Sequence, residues 1–388
     1  MLRTIFDDDH DEFRAAVRSF LDRKVRPEVD DYRLTRGIPR DFWVEAGAMG
    51  LLGLDIPETY GGSEALDYRF NAILIEELAR VTVAMSSSVA IHADVVVPYL
   101  VELGTDEQKR RWLPSIASGH TLAAIGMTEP SGGSDLAALR TTAKRTSDGW
   151  VLNGGKTFIT NGYSADLVVV AARTTPGAGA RGISLFLVDT AAPGFRRGRK
   201  LDKVGQDEAD TAELFFDALE LGEDALLGEL DRGFHHMMTF LPQERIGCAV
   251  TNIAHAAAVL EETLEYCADR TAFGRPIGMF QHNRFRLAEL VTTVDVTQTF
   301  VDQCVALHAD RRLSAVDAAK AKWWSSQVQN DVIDACLQLH GGYGYMNEYR
   351  VARAWRDARV TKIWAGSNEV MKELIGRSLG FDERALTS

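Results

Sequence analysis

WVLNGGKTFITNGYSADLVVVAART, Trp150–Thr174, decides the fold. Two β-prone runs, WVLNGGKTFITNG and DLVVVAART, flank a polar turn carrying Asn161 and Gly162. Val, Ile, Thr and aromatic residues bounded by Gly, Pro and Asn are the signature of strands. The texture extends both ways, through TLAAIGMTEP (Thr121–Pro130), GISLFLVDT (Gly182–Thr190) and ELFFDALEL (Glu213–Leu221). A β domain over 121–230 is therefore expected in the middle of the chain.

The flanks read differently. In residues 1–120, Phe6–Val25 carries an apolar stripe of Phe13, Val17, Phe20 and Leu21 at helical spacing. Phe42–Leu54, Asn71–Arg80 and Asp106–Ser118 add further helical runs. Between them lies TVAMSSSVAIHADVVVPYLVELG, whose small residues suit close helix packing. Ser86, Ser87 and Ser88 there read either as packing or as room beside a substrate channel. In residues 231–388, long amphipathic runs (Phe234–Asp269, Gln281–His308, Ser314–His340, Tyr349–Leu379) with short breaks argue for an antiparallel bundle. The fold class is α+β, in the order helices, strands, helices. Ligands commonly settle at junctions between such domains.

Composition excludes several classes. Of 388 residues, 46% are hydrophobic and 25% charged, which is ordinary for a globular chain. A net charge of −12 gives no reason to expect nucleic acid. Cys248, Cys267, Cys304 and Cys336 form no CxxC, so neither zinc nor a disulfide framework is expected, and no metal is. The N-terminus lacks a signal-peptide core, and no apolar stretch is read as long enough to span a membrane. A cytoplasmic location is expected.

TFLPQERIGCAV, Thr239–Val250, sets an acid inside an apolar run. On a helix, Met237, Leu241, Glu244 and Cys248 share a face. Glu244 is either a group meant to meet a ligand or a surface charge, the latter if Pro242 breaks the register. IGMTEPSGGSD, Ile125–Asp135, holds Thr128 and Ser134 around a glycine turn; it is an anion- or ring-binding nest or a plain turn. Phe158 and Thr160, two apart on a strand, share a face that would back a flat ring or belong to the core. DRTAFGRPIGMFQ, Asp269–Gln281, offers guanidinium groups for phosphate or for a helix C-terminus. QLHGGYGYMNEY, Gln338–Tyr349, brings a glycine pair for close backbone approach or a helix stop. In RVTKIWAGSNEVMKEL, Arg359–Leu374, Ser367 and Asn368 suit a helix cap whose N-terminus would also suit an anion.

Together with IPETYGG (Ile56–Gly62), these motifs in this order resemble the acyl-CoA dehydrogenase family over nearly the whole chain. The resemblance implies an N-terminal helical domain, a middle β-barrel-like domain and a C-terminal four-helix bundle. It implies FAD, an acyl-CoA substrate, a homotetramer built as a dimer of dimers, and a place in fatty acid β-oxidation. By resemblance, Ile125, Met127, Thr128 and Ser134 hold the flavin edge, with Ser134 also near the substrate thioester. Phe158 packs on the flavin and Thr160 sits near its N5. Arg270, Phe273 and Gln281, with Gln338, Gly341 and Gly342, meet an FAD held mainly by a neighbouring subunit. Ser367 and Glu369 lie near the nucleotide portion.

One position departs from the commonest family pattern. Many relatives carry the catalytic Glu where this chain has Ala365. Long-chain and isovaleryl-type relatives take the base from the first helix of the last domain, and LPQER, Leu241–Arg245, resembles that motif. The resemblance therefore implies Glu244 as the base and Arg245 as a substrate-positioning group. The product implied is a trans-2-enoyl-CoA, with electrons passed to an electron-transferring flavoprotein. An acyl-CoA oxidase using oxygen and a catalytically inactive flavoprotein scaffold are the alternative readings. A monooxygenase lacking the base and a DNA-associated relative fit less well, given the intact LPQER and the acidic charge.

Overall fold

A computed structural model describes residues 2–382. Seven helices open the described chain: α1 (Asp8–Lys24), α2 (Val29–Thr35), α3 (Arg40–Ala48), α4 (Tyr68–Val81), α5 (Val83–Ala90), α6 (Val97–Leu103) and α7 (Asp106–Ala117). The ends of α1 and α7 are set locally. Asp7 with His10, and Thr105 with Gln108, form capping boxes that satisfy N–H groups left free at a helix start. The helix α2 was not anticipated, and α3 stops well short of Leu54.

Between α5 and α6 the chain stays helical but widens into a π-helical turn, Ile91–Val96. Val83–Leu103 is thus one 21-residue apolar rod, long enough by length and composition to cross a membrane. The sequence-based expectation that no such stretch exists is corrected here. The rod is apolar because it is a core element, mostly buried inside the protein. Ser86 donates to the Ile75 carbonyl and bonds Thr251 at 2.9 Å, Ser87 meets Gln206 and the Ser88 carbonyl accepts from Asn161. These bonds place the three serines at junctions between elements, with the Ser88 hydroxyl buried and without a partner among the described residues.

The middle of the chain is an eight-stranded mixed sheet: β1 (Ala123–Gly126), β2 (Thr142–Arg145), β3 (Gly149–Thr160), β4 (Leu167–Arg173), β5 (Ile183–Asp189), β6 (Phe195–Lys200), β7 (Thr211–Gly222) and β8 (Leu226–Leu227). Its order is β6-β7-β3-β2-β4-β5-β8, with β1 parallel to β4. β6 and β8 end the sheet without pairing to each other, so it does not close into a barrel. In β4, Leu167, Val169 and Ala171 pack toward α6 and α7, while Val168, Val170 and Ala172 pack with Trp150, Phe186 and Leu214. Cover on both faces explains a strand apolar at every position from Leu167 to Ala172.

The C-terminal part holds α8 (Gly233–Asp269), α9 (Gln281–Ala309), α10 (Ala315–His340), α11 (Arg350–Ala358) and α12 (Asn368–Ser378). α8, α9 and α10 share one core with α4 and α11. α8 runs unbroken through Pro242, so the proline does not turn Glu244 toward solvent.

Candidate functional site

Glu244 is half-buried, on the turn of α8 that meets the apolar rod. The Tyr99 hydroxyl donates to its Oε1 at 3.3 Å. Beneath it, Met237 is completely buried among Val96, Tyr99 and Leu100, and the Tyr99 ring lies 4.3 Å from that of Phe240. Burial lifts the Glu244 carboxyl to about 7, against the hydrogen bond from Tyr99 and the charge of Arg245. A carboxyl poised there exchanges protons readily near neutral pH. The neighbouring Gln243 Nε2 donates to Asp94 Oδ1 at 2.9 Å, and the Tyr68 hydroxyl to Asp94 Oδ2 at 3.2 Å. Burial, then the nearby Asp55, raise Asp94 to about 7 as well. The widened turn at Ile91–Val96 carries Asp94, and such turns recur at functional sites.

Arg245 is only 6% exposed, yet no ion pair or hydrogen bond uses it among the described residues. The indole Nε1 of Trp364 is likewise a buried donor without an acceptor. Buried donors in that state are costly unless something fills the gap. Next to Trp364, Ala365 adopts φ 50°, and its N–H also has no acceptor among the described residues.

The glycine turn and β3 are brought side by side. Thr157 N–H donates to the Thr128 carbonyl at 2.9 Å, and Lys156 Nζ bonds the Met127 carbonyl and, at 2.7 Å, Glu129. This ion pair is fully enclosed. Burial pulls Lys156 down to about 8. Burial also pushes Glu129 up, but the Lys156 charge and the N–H groups of Arg140 and Thr141 outweigh it, leaving Glu129 lowered. Ile125 and Met127 pack on the cluster that holds Tyr99, so the turn reaches the Glu244 neighbourhood. Thr128 lies over Gly133, and Ser134 is exposed.

Two-residue alternation does not describe β3 here. A bulge falls between Lys156 and Ile159, and Phe158 takes φ 59°. Lys156 and Thr157 are both buried, whereas Phe158 is 69% exposed and Thr160 half-buried. An exposed aromatic ring held in a strained backbone fits a flat ligand better than a core.

Arg270, Phe273, Gln281, Gln338, Gly341 and Gly342 gather elsewhere. Arg270 caps the C-terminus of α8, about 39 Å along the helix from Glu244 at 1.5 Å per residue. Its guanidinium lies 5.3 Å from the Tyr343 ring, which ties it to the glycine pair. Phe273, at φ 52°, is 97% exposed, and Gln281 and Gln338 are exposed too. A Cβ added at Gly341 or Gly342 would touch nothing, so no contact within the chain demands glycine there; at Gly341 a φ of 59° does. Ser367 accepts from Val370 N–H as the N-cap of α12, and Glu369 is exposed in its first turn.

The residues present fit FAD in two separate groups. Thr128, the glycine turn, Phe158 and Thr160 offer backbone, hydroxyl and ring to a flavin. Arg270, Phe273 and the glycine pair offer cation, ring and open backbone to a nucleotide. The sequence did not single out Tyr99 or Asp94, although Asp94 carries the same signal as Glu244, an acid inside an apolar run. A cavity of about 440 Å³ lies apart from all of these, among Arg3, Glu76, Arg80, Ala257, Leu264 and Val291.

Three sequence profiles match the chain: acyl-CoA dehydrogenase, N-terminal domain (residues 7–120), middle domain (124–219) and C-terminal domain (231–380). The chain is 44% identical to the mitochondrial long-chain specific acyl-CoA dehydrogenase of Rattus norvegicus, over 98% of this chain and 89% of that protein. It is 34% identical to the mitochondrial isovaleryl-CoA dehydrogenase of Solanum tuberosum, over 97% and 91%. A crystal structure of acyl-CoA dehydrogenase from Geobacillus kaustophilus superposes with a TM-score of 0.96 at 43% identity, covering 97% of this chain and all of that one.

Proposed function

The chain belongs to the acyl-CoA dehydrogenase family of FAD-dependent oxidoreductases, and within it we propose Glu244 as the base that takes the α-proton of a saturated acyl-CoA. The observation that carries this reading is a carboxyl raised to about 7 by burial, in a chain whose other candidate position holds Ala365. FAD, when bound, supplies the acceptor for the β-hydride.

The chain's own residues do the rest. Tyr99 orients the Glu244 carboxylate through its hydroxyl, and Met237 keeps water from that side. Arg245 positions the substrate, which would give its unpartnered guanidinium an acceptor. The Ala365 N–H donates to the thioester oxygen as negative charge develops there. Because that donor is backbone, it survives the loss of a carboxylate side chain. Thr128, Ser134, Phe158 and Thr160 hold the flavin, and Ser367 and Glu369 lie on its nucleotide side. Arg270, Phe273, Gln281, Gln338, Gly341 and Gly342 complete the site of an adjacent subunit in a homotetramer. The separation along α8 supports that division. Similarity to a long-chain specific relative favours a long acyl chain, with a trans-2-enoyl-CoA product and electrons passed to an electron-transferring flavoprotein.

Glu244→Gln tests the base. It should keep FAD and acyl-CoA but slow anaerobic flavin reduction at least about a hundredfold in stopped flow. Reduction at the wild-type rate would sink the assignment. Arg245→Ala should weaken acyl-CoA binding more than FAD binding; equal weakening in titrations would remove it from substrate positioning.

A further inference from the structure

Helix α10 grips the turn before α12 from behind. Lys322 is completely buried, and its Nζ donates to the Gly366 carbonyl at 2.6 Å and to Asn368 Oδ1 at 3.3 Å. Ser326 Oγ donates to the same Asn368 oxygen at 2.9 Å, and Asn368 Nδ2 donates to the Trp323 carbonyl at 3.4 Å. The turn so held is left-handed at two residues, Ala365 at φ 50° and Gly366 at φ 83°, and is strained at the alanine. Left-handed backbone at alanine persists only where its surroundings over-determine it.

A neutral side chain would hold this turn at lower cost. Lys322 has no carboxylate within ion-pair distance among the described residues; Glu369 acts on it only through space. An enclosed ammonium with carbonyl acceptors alone is expensive. Burial lowers Lys322 to about 8, which leaves it mostly charged at neutral pH. Arg245 and Cys248, on the turn of α8 that carries Glu244, also lie within its electrostatic reach. Positive charge stored beside the reacting centre is of use if negative charge appears there for a moment.

We propose that Lys322 is a positioning residue for the thioester: it locks the Ala365–Gly366 turn so that the Ala365 N–H meets the carbonyl oxygen, and its charge favours the enolate formed when the α-proton leaves. The inference rests on the reading that Glu244 takes that proton. Lys322 itself neither gains nor loses a proton in the step. It acts through the turn and through space.

The test uses the FAD-loaded full chain. Lys322→Met should bind acyl-CoA within about threefold of wild type yet reduce its flavin about tenfold or more slowly, since loss of an oxyanion donor itself costs about a hundredfold to a thousandfold and Lys322 acts on that donor indirectly. A merely structural lysine would not shift the ionisation of a bound 3-thia-acyl-CoA, which can lose its α-proton but has no β-hydride. Its long-wavelength band with oxidised flavin should need a pH about one unit higher in the variant. Lys322→Gln, which keeps N–H donors without the charge, should fall between wild type and Lys322→Met. It decides alone if Lys322→Met fails to fold or to hold FAD. Wild-type reduction and analogue ionisation in a folded, loaded variant would overturn the role. Glu244→Gln separates the two failures: normal reduction there removes the base assignment, whereas a dead Glu244→Gln beside normal Lys322 variants removes only this inference.

Discussion

One 37-residue helix, α8, carries two opposite surroundings at its ends. Around the half-buried Glu244 the chain is better covered: Tyr99 bonds the carboxylate, and Met237 and Arg245 are buried. Around Arg270 it is open, with Phe273 almost wholly exposed, Tyr345 and Met279 exposed, and Gly341 and Gly342 bare of neighbours. The first end has what a proton transfer needs, a carboxyl moved by burial toward neutral pH. The second has cation, ring and bare backbone but no wall opposite them. On the proposed division of the site between subunits, the open end is the part that a second copy of the chain would cover.

Mixing variants would break or sharpen that contrast most forcefully. Glu244→Gln and Arg270→Glu should each be almost inactive, the first through the base and the second through FAD loss. Random pairing of the two in one preparation should restore about a quarter of the active sites, because each mixed pair keeps one site with Glu244 from one chain and Arg270 from the other. No recovery in an activity assay of co-expressed chains would mean that both ends serve one chain. Arg270→Ala alone should weaken FAD binding about tenfold or more, as loss of a charge-assisted contact does, and leave the reduction rate of loaded enzyme unchanged. Equilibrium dialysis and stopped flow read the two effects separately.

Smaller effects are expected at the better-covered end. The Tyr99 hydroxyl opposes the rise of the Glu244 pKa, so Tyr99→Phe should move the acid limb of the reduction rate to higher pH and cost about threefold below neutrality. The folded-state pKa of Glu244 lies above its ordinary value. Folded stability is therefore lost as pH rises from the ordinary carboxyl range to about 7, and the loss levels off above that. The melting temperature of Glu244→Gln minus that of wild type should accordingly be greater at pH 8 than at pH 5. Ala365→Gly should relieve the left-handed strain and stabilise the fold by about 0.5–1 kcal/mol in denaturant titration.

The same contrast explains what could be read in advance. The order helices, strands, helices was plain because apolar periodicity changes at residue 121 and again near 231. Glu244 stood out as an acid inside an apolar run, but that pattern left open whether it met a ligand or solvent; only the unbroken course of α8 through Pro242 removes the register break. Asp94 gave the same signal and was passed over within a run read for its small residues. The bulge at Phe158 was not legible: a regular strand and a bulged one share composition, and only pairing with β7 shows the slip. Lys322 was hidden for the opposite reason, since lysine in a helix is ordinarily a solvated side chain. The openness of the sheet depends on whether β6 and β8 meet, which no local pattern encodes.

The apolar rod from Val83 to Leu103 has a consequence for the nascent chain. Its cover comes partly from α8, which begins at Gly233, so the rod leaves the ribosome long before that partner exists. Until then it presents the greasy profile of a bilayer-crossing segment, and contacts so distant in sequence form slowly. A chain cut after the strands would keep the rod but lose that shelter, and should clump or stick to lipid.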